Sequence, residues 1–191
     1  MRFDTSNIRK DAKMYSVIGT KVSGSDKVDD LVQVGMVGKI GDRILDDVYE
    51  FLPLEATDKT NNGDIFFLAT PEVDPDEENV LNNSLKYFKL SEGQIADAVQ
   101  YIKHDKFAIE EDGIVKSSSD TITIGGYAYA EAGERKLQYS ATKPADYCML
   151  AVIEDIVPVT EGMFVKQCTR TAKALTQQQM QYNIVRCRVI D

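Results

Sequence analysis

From Leu31 to Ile190 the chain is written largely in short stretches of period two, broken every few residues by glycine, proline or asparagine. Ile122 and Ile124 alternate with Thr121 and Thr123, Tyr127 and Tyr129 with Ala128 and Ala130, and Val185, Cys187 and Val189 with Arg186 and Arg188. Successive strand residues face opposite sides, so this alternation predicts half-buried β-strands. Long helical periods are too few for βαβ units, which argues against a doubly wound parallel sheet. Short strands at regular spacing with turn signals between them predict a mainly β protein. It should consist of small β-barrel or sandwich domains of short antiparallel strands with few short helices.

Several segments can be placed in more detail. "LVQVGMVGKI" (Leu31 to Ile40) carries Gly35 and Gly38, with Gly41 just beyond it. Glycines inside a strand mark bulges or close backbone approach. "VYEFLPLEA" (Val48 to Ala56) is a second apolar segment, and its Pro53 indicates an edge or a strand end. Past the turn signal Asn61-Asn62-Gly63, "DIFFLAT" (Asp64 to Thr70) reads as a short, fully buried strand. Leu85 to Ile109 fits short strands joined by turns. It also fits a strand with one helical turn over Gln94 to Tyr101, because Ile95, Val99 and Ile102 recur at near-helical spacing.

Asp120 to Ala141 predicts a hairpin, with the alternation running through Gly125-Gly126 and "EAGE" (Glu131 to Glu134) as its turn. Tyr127 or Tyr129 is expected to stack on Tyr139 across it. Tyr147 to Ile153 is a long buried strand followed by a break near Glu154-Asp155 and Pro158. Thr169 to Gln181 reads as loop or short helix, and Tyr182 to Ile190 as a half-buried last strand. The expected organisation is an extended N-terminal arm over 1–33, ordered only against a neighbour or frayed. A β-rich domain over 34–115 and a small barrel-like domain over 120–191 follow, divided in the polar stretch Asp112 to Asp120.

Of 191 residues, 43% are apolar and 28% charged, a globular balance that argues against disorder. Acidic residues outnumber basic ones by 31 to 22, a net charge of −9, and no basic run exceeds two residues. Such a field repels phosphate backbones, so nucleic acid is not an expected partner. The opening "MRFDTSNIRKDAKMYSV" has no apolar core of a secretory signal. No stretch approaches the run of about 18 apolar residues of a membrane-spanning helix. Assembly in a cytoplasm, without a membrane partner, is the expectation.

Chemistry-bearing patterns are thin. Cys148, Cys168 and Cys187 are widely spaced, unlike the close pairs of a zinc site, and read as reduced thiols, with Cys148 and Cys187 in the core. Asp74, Asp76, Glu77 and Glu78 offer calcium-type oxygens, but the glycine and distal glutamate of an EF-hand are missing, which favours a solvated loop. Gly35, Gly38 and Gly41 do not form a phosphate loop, and Lys39 is not followed by Ser or Thr. The only histidine, His104, stands beside Asp105 without a nucleophile or acid to serve, and reads as a turn residue. Ser117 to Ser119 are not in G-x-S-x-G. No catalytic, cofactor-binding or metal-binding residue is assigned, and no cofactor is expected.

The order of phrases does carry a resemblance. "LVQVGMVGKIGDRILDDVYEFLPLEA", "GDIFFLATPEV", "LKYFKLSEGQIADAVQYIKHDKFAI" and "ITIGGYAYAEAGERKLQYSA" together resemble the head-decoration or minor capsid proteins of tailed bacteriophages. In that family a strand ends in a phrase similar to "LATPEV", a segment similar to "EGQIADAVQYI" follows, and a Gly-Asp-x-Phe-like turn leads into a small β-barrel half. This chain departs in having "HDKF" (His104 to Phe107) at the glycine turn and a Gln-rich segment over Thr176 to Gln181. The resemblance implies a non-catalytic virion protein on the capsid surface, bound to the major capsid protein and self-associating there. Residues 1–33 are then the expected docking arm. A tail-tube or head–tail connector protein is the alternative within the virion. A small β-barrel enzyme or ligand-binding domain using His104, Asp105 and the loop Asp74 to Glu78 is the alternative outside it.

Overall fold

The computed structural model describes residues 3–4, 13–23, 26–29, 34–56, 65–69, 94–165 and 176–191. The protein is mainly β. In chain order its strands are β1 (Phe3–Asp4), β2 (Met14–Ser23), β3 (Asp26–Asp29), β4 (Val37–Leu45), β5 (Val48–Leu52), β6 (Phe66–Leu68) and β7 (Ala96–Gln100). These are followed by β8 (Lys106–Glu110), β9 (Ile114–Val115), β10 (Tyr127–Ala130), β11 (Leu137–Ser140), β12 (Met149–Val165) and β13 (Thr176–Val189). A 3-10 turn, Glu111–Gly113, joins β8 to β9.

The first sheet curls on itself. β2 pairs in parallel with β5, β5 antiparallel with β4, β4 with β6, β6 with β7, and β7 returns to β2. Five strands therefore form a closed ring of pairings, with β3 added to the far end of β2. Closure leaves no unpaired edge where two neighbours are present. Val17, Phe51, Phe66, Leu68, Ala96 and Ala98 fill its interior. Gly38 is required by that filling: a Cβ there would lie 2.5 Å from the Leu52 carbonyl and 2.7 Å from the Phe51 ring.

The second sheet orders its strands β1-β8-β13-β12-β10-β11-β9, antiparallel except for the β9–β11 pair. Its inner face packs on the outside of the ring. Phe67 lies between Phe66 and Leu68 but points the other way, and its ring meets Tyr101 at 4.8 Å and Phe107 at 5.0 Å. The shared core joins Val37, Phe67 and Val99 of the ring to Ile109, Leu137, Ile153 and Val185 of the sheet. This explains the unbroken apolar run of β6: one face fills the ring, the other the layer between ring and sheet.

Four expectations are corrected. Residues 14–23 are not a free arm; β2 is hydrogen-bonded on both sides, to β5 and β7. No domain boundary falls at Asp112 to Asp120. β8 takes its backbone partners from β13, and β9 from β11, so the sheet crosses that stretch. Of the two readings open for this segment, strand and a helical turn over Gln94 to Tyr101, the strand reading holds over Ala96–Gln100. Ala96 and Ala98 face the ring interior and Val99 the opposite side, which is strand parity. Thr176 to Gln181 is strand rather than loop or helix, part of a 14-residue β13, and β12 runs 17 residues straight through Pro158. The expected break at Glu154 is a bulge, a register shift between Ile153 and Asp155.

The Asp120 to Ala141 hairpin forms, but its first strand starts later than the alternation suggested. Ile124-Gly125 is a turn with Gly125 at φ +87°, and β10 begins at Tyr127. Ala128 stands opposite Tyr139, so Ala128, Ala130, Leu137 and Tyr139 face the core, while Tyr127 and Tyr129 face outward. Tyr139 packs on Gly126 instead and shares a 3.1 Å hydrogen bond with Thr123.

Candidate functional site

The patterns that suggested chemistry resolve into backbone roles. Ile102 to Asp105 is a tight turn in which Asp105 N–H donates to the Ile102 carbonyl at 3.0 Å, and His104 sits at its third position with φ +78°. That conformation normally calls for glycine or asparagine. Asp105 is buried, and its Oδ2 accepts the Ile102 N–H at 3.0 Å. His104 is exposed, its amide given to the Val189 carbonyl. The carboxylate is aimed into the turn, and no dyad forms.

Cys148 and Cys187 are buried free thiols. Burial pushes the Cys187 thiol far up from its ordinary value, which leaves a poor nucleophile. Cys168 and the acidic loop Asp74 to Glu78 lie outside the described residues, as does the Asn61-Gly63 turn. Among the described residues no group of three or more His, Cys, Asp or Glu is placed to hold a metal ion. No helix among them is long and apolar enough to cross a membrane.

A cavity of about 280 Å³ opens where ring and sheet meet, lined by Ile65, Tyr101, Cys148, Met149 and Val189 with Lys103 and Asp191. Its walls are mostly apolar, and Cys148, its one thiol, donates a hydrogen bond to the Glu55 carbonyl at 3.6 Å. Asp191, in its lining, accepts from Tyr147 Oη at 2.7 Å.

On the outer face of the second sheet, Lys106 of β8 stands directly beside Arg188 of β13. Like charges so placed repel. Glu154, set at the β12 bulge, offsets this by accepting from Lys106 Nζ at 2.8 Å and from Arg188 Nε at 2.5 Å. Lys106 first and Arg188 second hold the Glu154 carboxyl below the usual carboxylate range. Arg186 and Asp155 continue the ladder at 3.5 Å.

The largest unaccounted feature is the far end of β12 and β13. β8 pairs with β13 only over Ile184–Arg188, and β10 with β12 only over Met149–Val152. Beyond them the two long strands continue alone for eight rungs, Pro158↔Asn183 to Val165↔Thr176. At about 3.4 Å per residue this ribbon is roughly 27 Å long. No described strand lies along either side of it. Its root is anchored at Asn183, whose amide donates to Glu111 Oε2 at 2.7 Å, while Lys116 holds the other Glu111 oxygen. Sequence reasoning missed the ribbon because Pro158 and the glutamines look like a strand end and a loop. The apolar and β-branched residues Ile156, Val157, Val159, Thr160, Met163, Phe164 and Val165 were the available signal.

The chain matches no family model, no curated protein and no solved structure.

Proposed function

We propose that this chain is a structural virion protein that binds the exterior of a tailed-phage head and contacts its major capsid protein without catalysis. The phrase order supplies the phage reading, and His104 adds to it: where the family phrase carries glycine, this chain adopts the backbone conformation glycine would take. The observation that carries a binding rather than a catalytic role is the β12–β13 ribbon. A two-stranded ribbon standing alone is marginal in water. A chain that extends one for eight rungs gains stability by pairing it with something else. The ribbon therefore replaces residues 1–33 as the docking element, since β2 is committed to the ring. On a repeating head surface, weak individual contacts suffice through multivalency.

The test is co-sedimentation of the purified protein with phage heads lacking their decoration layer. Saturable binding at a fixed ratio to coat subunits is expected, and its loss when Thr160 to Gln181 is replaced by an Asn-Gly turn. Heads that pellet without the protein overturn the reading. A tail-tube or connector role is the second reading, favoured by the same ribbon, because strand addition between neighbours also builds rings. Closed rings of the purified protein in electron micrographs, with no head binding, would select it.

A further inference from the structure

The cavity of about 280 Å³ between ring and sheet forms where strands end together: Tyr101 leaves β7, Met149 opens β12 and Val189 closes β13. Its walls are pinned by backbone bonds. Tyr101 N–H donates to the Ile65 carbonyl at 3.3 Å, Val189 N–H to the Asp105 carbonyl at 2.9 Å, and Cys148 N–H to the Ala130 carbonyl at 2.8 Å. Interiors ordinarily pack to the density of organic crystals, and apolar volume left unfilled costs stability. A cavity of about 150 Å³ accepts benzene, so this one has room for an apolar body roughly twice as large.

Charge at the mouth says which end such a body should carry. Lys103 and Asp191 both stand there, exposed. Asp191 is already engaged by Tyr147 Oη at 2.7 Å, and Lys143 Nζ lies 5.7 Å from the centroid of the Tyr147 ring. The bond to Asp191 is the main reason the Tyr147 pKa is raised, so the phenol stays a donor. Asp105, the acid nearest Lys103 in sequence, is buried and accepts the Ile102 N–H inside its own turn. Lys103 itself has no ion-pair partner among the described residues. The mouth therefore offers a free cation beside a satisfied carboxylate.

We propose that this cavity binds a small carboxylic acid, its apolar body held between Tyr101, Met149 and Val189 and its carboxylate paired with Lys103. The inference goes beyond the virion reading and does not depend on it. A mostly apolar chamber with one polar group placed to orient the ligand is the usual build of a small-molecule site. An alcohol with the same body gains the burial and forgoes the ion pair, and an amine meets Lys103 with like charge. Because Lys103 is exposed, the pair sets preference more than affinity, and added salt weakens it.

Titration of the whole chain with octanoate, octanol and octylamine, followed by the methyl resonances of Ile65, Met149 and Val189, tests the proposal. Octanoate is expected to shift these methyls saturably, octanol to bind more weakly and octylamine weakest. Lys103→Glu should weaken octanoate at least about threefold, leave octanol unchanged and keep the parent's unfolding transition, since the side chain lies outside the core. Octanoate that moves none of the three methyls overturns the proposal. So does octylamine or octanol that binds as tightly as octanoate, or a Lys103→Glu protein that binds octanoate like the parent. Co-sedimentation with heads needs none of these ligands, so a failure here leaves the virion reading standing, and loss of head binding leaves this one.

Discussion

The ring of β2, β5, β4, β6 and β7 and the ribbon of β12 and β13 use the same backbone pairing to opposite ends. In the ring every strand has a neighbour on both sides, and the interior is filled by Phe51, Phe66, Leu68 and small alanines. In the ribbon each strand has one neighbour among the described strands, and the shared core, among the described side chains, reaches Ile156 on β12 and Val185 on β13. The ring keeps its stability to itself, whereas the ribbon leaves hydrogen-bonding capacity over for a partner. On the proposed reading, fold and docking are separated along the chain, and perturbing each end tests that.

The sharpest contrast comes from Phe67. It is fully buried and contacts Tyr101 and Phe107, so Phe67→Ala opens a cavity between ring and sheet. A loss of about 3–5 kcal/mol in urea-induced unfolding is expected. Replacing Thr160 to Gln181 by Asn-Gly should cost the body less than about 0.5 kcal/mol. If shortening the ribbon cost as much as Phe67→Ala, the ribbon would belong to the fold and the comparison would collapse.

Gly38→Ala probes the ring from the opposite direction, by adding an atom. The new methyl would meet the Leu52 carbonyl and the Phe51 ring, backbone and packed aromatic, neither able to move cheaply. About 1–3 kcal/mol should be lost in the same assay.

What could be read in advance follows the same division. Buried segments were legible because burial writes itself into sequence: Phe66, Phe67 and Leu68 had to be buried on both faces, Pro53 had to end β5, and Cys148 and Cys187 had to be core. Which face of Tyr127 to Tyr139 turns inward was not legible. Tyrosine suits either side of a sheet, and only Gly126 makes room for Tyr139 on the core side. Strand pairing between distant segments, β8 with β13 or β2 with β7, has no local signature, so residues 1–33 and 112–120 looked like arm and linker. The far end of β13 was hidden for a related reason. A strand with one described neighbour need not carry the apolar alternation that packing on a core imposes, so Thr176 to Gln181 resembled a loop.

Between ring and ribbon lies the charged outer face, where a smaller effect is expected. Glu154→Gln removes the carboxylate that separates Lys106 from Arg188, and about 0.5–1 kcal/mol should be lost near neutral pH, discounted for a site roughly a third exposed. Glu154 is held below the ordinary value of 4.5 by Lys106 and then Arg188, and Glu111 by Lys116 and then Asn183. Both folded-state values are depressed, so the stability they contribute is fully present above 4.5 and lost as pH falls through the folded values. Thermal unfolding of the parent and of Glu154→Gln should therefore differ at neutral pH and converge in acid. Parallel curves down to the acid limit would mean that Glu154 contributes nothing through its charge.

The smallest expected change is at His104. Its φ of +78° costs a residue with a Cβ about 1–2 kcal/mol in left-handed backbone strain. His104→Gly removes that strain but gives the unfolded chain more freedom, which returns about 0.5–1 kcal/mol. The balance is a gain of a few tenths to about 1 kcal/mol. His104→Val should lose stability, because a β-branched residue tolerates this conformation least. The imidazole is exposed and makes no bond that glycine would forfeit, while Asp105 continues to hold the turn through Ile102. Head binding should be unchanged in both variants, since the turn lies at the opposite end of β13 from Thr176–Asn183. A stabilised His104→Gly protein that lost binding would move the docking surface from the ribbon to the body and reverse the division drawn between them.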